Sequence, residues 1–180
     1  MIFDKTWTLF LDRDGVLNED KPGSYVMSLE EFKLMPGVKE AMKKLSAIFG
    51  TIVVCTNQRG VSRGLYTIEE MHRMNNFLLS EIKNAGGRID KIYYAVDLND
   101  DAPNRKPNTG MALQAKHDFP DIDFSRSIMV GNNLSDMQFA RNANMAKAIF
   151  LTTTVPHIDL PNPLIDAHFD SLKSFADSII

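Results

Sequence analysis

An α/β fold, a Rossmann-like three-layer α/β/α sandwich around a central parallel sheet, is predicted by two features of this 180-residue chain. Short apolar, β-rich runs recur along it, each bounded by polar or glycine-containing turns, and segments with helical periodicity lie between them. Runs of that kind read as strands buried on both faces. Their alternation with helices implies parallel pairing, with the helices packed against the sheet.

The strands are predicted at Thr8–Leu11, Thr51–Cys55, Ile92–Val96, Ser127–Val130 and Ala148–Leu151. Between the first two, Val38, Ala41, Met42, Leu45 and Ile48 fall at helical spacing after a turn at Pro36-Gly37. A second helix opens at Thr67, where Glu70 three residues on completes a capping box; Met71, Met74, Leu78 and Ile82 form its apolar stripe. A methionine stripe can line a ligand groove, but packing on the sheet explains this one. Further helices are expected over Thr109–His117, Asp136–Asn142 and Ser171–Ile179. In such sheets ligands bind at the loops beyond the carboxyl ends of the strands, so those loops are where chemistry is sought.

The length fits one domain over residues 1–180, with no internal repeat, low-complexity tract or linker. Hydrophobic residues make up 44% and charged residues 24%, with a formal net charge of -3, an ordinary globular composition. Net negative charge weakens attraction to nucleic acid and anionic lipid, which demand clustered Lys and Arg. The single cysteine, Cys55, excludes an internal disulfide framework and any multi-cysteine metal cluster, and reads as a small buried residue in a reducing compartment. Residues 1–7 include Asp4 and carry no long apolar run, unlike a signal peptide or membrane span, so a cytoplasmic protein is expected.

Four strand-end loops carry the candidate chemistry. The first strand leads into Leu11-Asp12-Arg13-Asp14-Gly15-Val16-Leu17-Asn18. Asp12 and Asp14 leave the strand on one side, and Gly15 permits a sharp turn, so both carboxylates can face one small volume. Adjacent carboxylates repel unless a cation or shared proton relieves them, and a hard cation such as Mg²⁺ suits oxygen ligands. Alone, the pair is also what a turn or helix cap looks like.

The second loop, Cys55-Thr56-Asn57-Gln58-Arg59-Gly60-Val61-Ser62-Arg63-Gly64, crowds a hydroxyl, two amides, two glycines and two arginines together. Thr56 and backbone amides can donate to phosphoryl oxygens and Arg59 or Arg63 can clamp them, although a solvated glycine-punctuated turn reads similarly. In Asn104-Arg105-Lys106-Pro107, the lysine can neutralise charge on a transferring phosphoryl group or simply mark a basic turn before a helix. The fourth, Gly131-Asn132-Asn133-Leu134-Ser135-Asp136, offers oxygen ligands, with Asp136 able to complete a metal site or cap the following helix.

Together, in this order, the four loops resemble the haloacid dehalogenase superfamily of phosphotransferases over nearly the whole chain. Asp-Arg-Asp-Gly-Val-Leu-Asn, Thr-Asn-Gln before Gly-Val-Ser-Arg-Gly, and Arg-Lys-Pro are similar to the branch holding the heptose bisphosphate and histidinol-phosphate phosphatases. The resemblance implies that Asp12 attacks phosphorus to form an aspartyl-phosphate, and that Asp14 protonates the leaving alcohol and then activates water. It further implies that Thr56, Asn57 and Lys106 bind the phosphoryl group. Mg²⁺ is expected between Asp12, the Asp14 carbonyl and the fourth loop, through Asn132 or Asp136. The spacing from Asp14 to Thr56 leaves room for one flap and one helix but no cap domain, and the resemblance implies that such capless members recognise substrate through loops near the third strand, which makes Arg59, Arg63 and Arg105 the candidates.

Two departures from that branch stand out. Gly-Asn replaces Gly-Asp at Gly131-Asn132, which exchanges an anionic metal ligand for a neutral carbonyl. The stretch before Arg-Lys-Pro, residues 96–103, has no Cys or His, so no structural zinc is expected there. His72, His117, His157 and His168 are scattered and read as ordinary histidines. The expected activity is Mg²⁺-dependent hydrolysis of a small phosphorylated metabolite, foremost a sugar bisphosphate such as D-glycero-D-manno-heptose 1,7-bisphosphate, by a monomer. Histidinol phosphate, a polynucleotide 3′-phosphate, and a non-catalytic phosphate-ligand binding module are the alternatives.

Overall fold

The structure is a computed structural model that describes residues 2–154 and 158–179; His157 lies outside them. Its strands are β1 (Thr8–Leu11), β2 (Thr51–Asn57), β3 (Lys91–Ala95), β4 (Ser127–Gly131), β5 (Lys147–Leu151) and β6 (Ala167–Phe169). The helices are α1 (Val38–Ile48), the single turn α2 (Arg59–Ser62), α3 (Ile68–Asn84), α4 (Gly110–Asp118), α5 (Leu134–Asn142) and α6 (Leu172–Ser178). Among the described residues the strands form one sheet in the order β3-β2-β1-β4-β5-β6, every pair parallel. None of the described helices is long and apolar enough to cross a membrane.

The pleat sorts the apolar runs into two cores, because successive side chains leave a strand on opposite faces. Leu9, Leu11, Ile52, Val54, Ile128, Val130, Ile149 and Leu151 pack with α1, α3 and α6 on one face. Phe10, Val53, Cys55, Met129, Ala148 and Phe150 pack with α4 and α5 on the other. The methionine stripe of α3 belongs to the first core, with Met71, Met74, Leu78 and Ile82 all fully buried. Cys55 is likewise buried, and burial pushes its thiol up to about 12, where it is inert.

The sequence expectation matches this architecture, with boundary shifts of one or two residues and three differences. Strand β6 was not foreseen, since Ala167-His168-Phe169 is short, half-exposed and lies at the sheet edge. Helix α2 was read as loop, because Gly60 and Gly64 punctuate it. At α3 only half of the capping box forms: Thr67 accepts from Glu70 N at 3.1 Å, but the Glu70 carboxylate instead accepts from Leu29 N at 2.8 Å. That glutamate therefore fastens the 18–34 segment, which folds over the sheet edge and is pinned by an antiparallel bridge between Asn18 and Leu34.

The strand order reverses direction between β1 and β4, the crevice where open α/β sheets bind ligands. The register sets Leu11 beside both Val54 and Val130, so the residues after β1, β2 and β4 emerge side by side.

Candidate active site

Asp12 leaves β1 at that crevice, its backbone N–H donating to Val130 O at 3.0 Å. Its Oδ1 accepts from Arg13 N at 2.8 Å and lies 2.9 Å from Lys106 Nζ. The Lys106 ammonium also donates to Asp136 Oδ1 at 2.6 Å, so one cation bridges two carboxylates with almost no solvent exposure. One ammonium cannot compensate two buried carboxylates. Burial, then the charge of Asp136, outweighs Lys106 and raises Asp12 to about 7, while the two aspartates overcome the burial penalty on Lys106 and raise its own pKa.

Asp14 experiences the opposite balance. Burial pushes its pKa up, but Arg13, Asn18 and Gln58 more than offset this and hold it below the usual carboxylate range. Arg13 Nη2 reaches its oxygens at 3.1 and 3.2 Å, Asn18 Nδ2 donates at 2.9 Å and Gln58 Nε2 at 2.7 Å. Arg13 is itself buried, donating to Asn75 Oδ1 at 2.9 Å and resting on the Phe32 ring. The turn that turns Asp14 this way needs Gly15: its φ is 79°, and a Cβ there would lie 2.1 Å from the Asn132 amide.

Thr56 is fully buried, with its hydroxyl accepting from Gln58 Nε2 at 2.9 Å. Asn57 faces the third loop instead: its Oδ1 accepts from Lys106 N at 3.0 Å and its Nδ2 donates to Lys106 O at 3.1 Å. Its side chain clamps the lysine's backbone and thereby aims the ammonium. In the fourth loop both oxygens of Asp136 are engaged, Oδ1 by Lys106 and Oδ2 by the backbone N–H groups of Asn132 and Asn133 at 3.2 and 3.0 Å. Asp136 also completes the capping box of α5. Glycine at 131 permits this approach, since a Cβ there would lie 2.4 Å from the Asp136 carboxylate.

Whether these residues suit a divalent cation can be judged from the oxygens left over. Among the described residues no cluster of three or more His, Cys, Asp and Glu side chains is arranged to hold a metal. Asn132, however, is fully buried, and its Oδ1 has no hydrogen-bond partner, whereas its Nδ2 donates to Thr154 Oγ1 at 2.7 Å. An orphaned buried carbonyl costs about 1–3 kcal/mol unless something binds it. With the Asp12 carboxylate and the Asp14 backbone carbonyl, it would offer the all-oxygen kind of donor set that Mg²⁺ prefers.

The three arginines find their side-chain partners outside the cluster of Asp12, Asp14, Lys106 and Asp136. Arg59 and Arg105 both pair with the carboxylate of Asp100, Arg105 Nε at 2.9 Å, although Asp100 itself is largely exposed. Arg59 Nε and Arg105 Nη1 are buried without partners. Arg63 donates to the Tyr25 hydroxyl at 2.9 Å and lies over its ring, joining α2 to the 18–34 segment. Sequence reading did not single out Arg13, Asn18, Gln58, Tyr66 or Asn75. Gln58 follows Thr56 by two residues, which places both on one side of an extended chain and was a usable signal. Tyr66 and Asn75 act through Gln58 and Arg13, at 2.6 and 2.9 Å, and had no local signature.

Comparison with known proteins accords with this geometry. A family model described as polynucleotide kinase 3 phosphatase matches residues 7–150. A D-glycero-alpha-D-manno-heptose-1,7-bisphosphate 7-phosphatase of Campylobacter jejuni is 40% identical over 147 residues, 82% of this chain and 83% of its own. The enzyme of the same name from Mycobacterium bovis is 34% identical over 174 residues, 96% and 91% of the two chains. The crystal structure of D,D-heptose 1,7-bisphosphate phosphatase from B. bronchiseptica, complexed with magnesium and phosphate, aligns with a TM-score of 0.83 at 28% identity, covering 95% of this chain and 96% of that one. The chain is therefore a hydrolase of the haloacid dehalogenase superfamily, a phosphomonoesterase in the branch of the heptose bisphosphate phosphatases.

Proposed function

We propose that this protein is a Mg²⁺-dependent phosphatase that removes one phosphate from a sugar bisphosphate, foremost D-glycero-D-manno-heptose 1,7-bisphosphate, through an aspartyl-phosphate on Asp12. The observation that carries this reading is the convergence of the Asp12 carboxylate, the Asp14 carboxylate, Thr56 and the Lys106 ammonium at one sheet edge. The names of the relatives from Campylobacter jejuni and Mycobacterium bovis supply the substrate.

In the first half-reaction an Asp12 oxygen attacks phosphorus, the bond from phosphorus to the sugar oxygen breaks, and that oxygen takes a proton from Asp14. In the second, water attacks the phosphoryl group, Asp14 takes the water's proton, and phosphate departs from Asp12. Thr56 and Lys106 hold the phosphoryl oxygens as charge moves. A divalent cation bound by Asp12, the Asp14 backbone carbonyl and the Asn132 amide oxygen would supply positive charge that keeps Asp12 ionised and offsets the phosphate's own. Arg13, Asn18 and Gln58 hold Asp14 ionised, the state in which it can accept water's proton, while the same contacts lower its basicity. For the first half-reaction Asp14 must gain a proton, which the adjacent anionic phosphate favours.

Phosphate release, with and without Mg²⁺, from heptose 1,7-bisphosphate, histidinol phosphate, other sugar phosphates, nucleotides and a 3′-phosphorylated oligonucleotide tests the reading. Magnesium-dependent release with the heptose bisphosphate ahead by kcat/KM is expected; absence of release from every compound sinks it. The description of the matching family model favours a second reading, removal of a polynucleotide 3′-phosphate. Selective turnover of the oligonucleotide would establish that instead.

The arginines make a further expectation. A second anionic group on the substrate that pairs with Arg59 and Arg105 must displace Asp100, which the guanidinium groups already hold below its ordinary pKa. Asp100→Asn is thus expected to lower KM for a bisphosphate severalfold, with kcat and the KM for a matched monophosphate little changed. A rise in KM would show that Asp100 orders the arginines rather than competing for them.

A further inference from the structure

The side chain at 132 poses a problem that an aspartate there would not. A carboxylate has two equivalent ends, whereas an amide has one end that attracts a cation and one that repels it. If the Asn132 amide turned over, Nδ2 would occupy the place of Oδ1 and present two N–H groups to the site. Something must hold the amide one way round.

We propose that Thr154 is the positioning residue that sets this polarity, with Asp20 fixing the direction of the relay. The inference rests on the assignment of Asn132 as a cation ligand under the proposed function. Asn132 Nδ2 donates to Thr154 Oγ1 at 2.7 Å, and the Thr154 hydroxyl in turn donates to Asp20 Oδ2 at 3.4 Å. A hydroxyl carries one proton. With that proton directed at Asp20, Thr154 faces Asn132 as an acceptor and selects the NH₂ end of the amide. The Oδ1 end is thereby left on the other side, buried and without a partner in the protein.

The backbone is built to bring these groups together. Thr154 belongs to the loop leaving β5, adjacent to β4 in the sheet, and Thr153 in that loop donates its hydroxyl to Gly15 O at 2.5 Å. The absent side chain of Gly15 is what lets the loop close: a Cβ there would meet Asn132 Nδ2 at 2.1 Å and Thr154 Oγ1 at 2.8 Å. Thr154 thus touches the turn carrying Asp12 and Asp14 as well as the residue it orients. Partners that orient metal ligands in this way typically contribute about 10- to 100-fold in metal affinity.

The test is calorimetric titration of the full-length protein with Mg²⁺ alone, on the wild type, Asn132→Leu, Thr154→Val, Thr154→Ser, Asn132→Asp and the Asn132→Asp/Thr154→Val double variant. Thr154→Val is expected to weaken binding about 10- to 100-fold, and Thr154→Ser to stay near the wild type. With aspartate at 132 no polarity remains to be set, so Asn132→Asp should bind more tightly than wild type and tolerate Thr154→Val with little further loss. Equal affinity of wild type and Thr154→Val overturns the relay. So does an equal loss in both backgrounds, or a loss with Thr154→Ser, since either marks disturbed packing rather than lost polarity. If Asn132→Leu leaves Mg²⁺ affinity unchanged, Asn132 is not a ligand, and the cation assignment falls together with the relay.

Discussion

Asp12→Asn is expected to lower kcat by about 10⁴- to 10⁶-fold, the scale on which removal of a covalent nucleophile acts. Phosphate-ligand binding should survive it, because Thr56, Lys106 and the arginines are untouched. The same change should stabilise the fold at alkaline pH. The Asp12 carboxyl is raised from 3.8 to about 7 in the folded state, first by burial and then by Asp136. The folded protein therefore holds this proton through a range in which the unfolded chain has released it, so the contribution of Asp12 to stability falls as pH rises from about 4 to 7. Asparagine abolishes that titration while Lys106 keeps its pairing with Asp136. Thermal melts in chelator should show Asp12→Asn gaining over wild type at pH 8 and much less at pH 5. A variant retaining turnover within tenfold of wild type would remove Asp12 from the nucleophile role, and a variant less stable at pH 8 would contradict the burial argument. A nucleophile held in this way would lower stability at alkaline pH, a trade-off active sites commonly show.

How much of this was legible before the structure follows from the range of each interaction. Strand and helix placement came from periodicity, which is local, and the sheet edge carrying Asp12, Thr56, Lys106 and Asn132 followed from their positions after successive strands. Where a side chain's orientation depended on distant partners, the sequence was silent. Asp136 could be read as a metal ligand or a helix cap; its oxygens turn out to be engaged by Lys106 and by the N–H groups of Asn132 and Asn133, thirty and three to four residues away. Asn57 was grouped with the phosphate binders on the strength of its neighbour Thr56, yet its amide grips the backbone of Lys106, 49 residues on. Arg13 looked like the spacer of an Asp-x-Asp pair. Its burial against Phe32 and Asn75 depends on the 18–34 segment and α3 closing around it, which no local pattern foretells.

Lys106→Met is expected to destabilise the protein by about 3–5 kcal/mol at pH 8, since removing one member of a buried charged cluster leaves the others uncompensated. Methionine keeps most of the volume, and the Asn57 clamp acts on the backbone at 106, so the loop itself should persist. What changes is charge: Asp12 and Asp136 lose the ammonium at 2.9 and 2.6 Å from each. Asp12, already raised by burial and by the charge of Asp136, then gains further from being neutral, and a folded-state carboxyl pKa raised above its unfolded value confers stability at low pH that is lost as pH rises through the folded value. The deficit relative to wild type should accordingly be larger at pH 8 than at pH 5 in urea unfolding. Adding Asp12→Asn should restore part of the loss at pH 8, because one carboxylate then remains where two repelled. A deficit independent of pH, or one that Asp12→Asn deepens, would mean that the lysine contributes through its packed aliphatic stem rather than by holding two buried anions together. The same ammonium is the group proposed to meet the transferring phosphoryl, so the charge that reconciles Asp12 with Asp136 in the resting site would be the charge that reaction draws on.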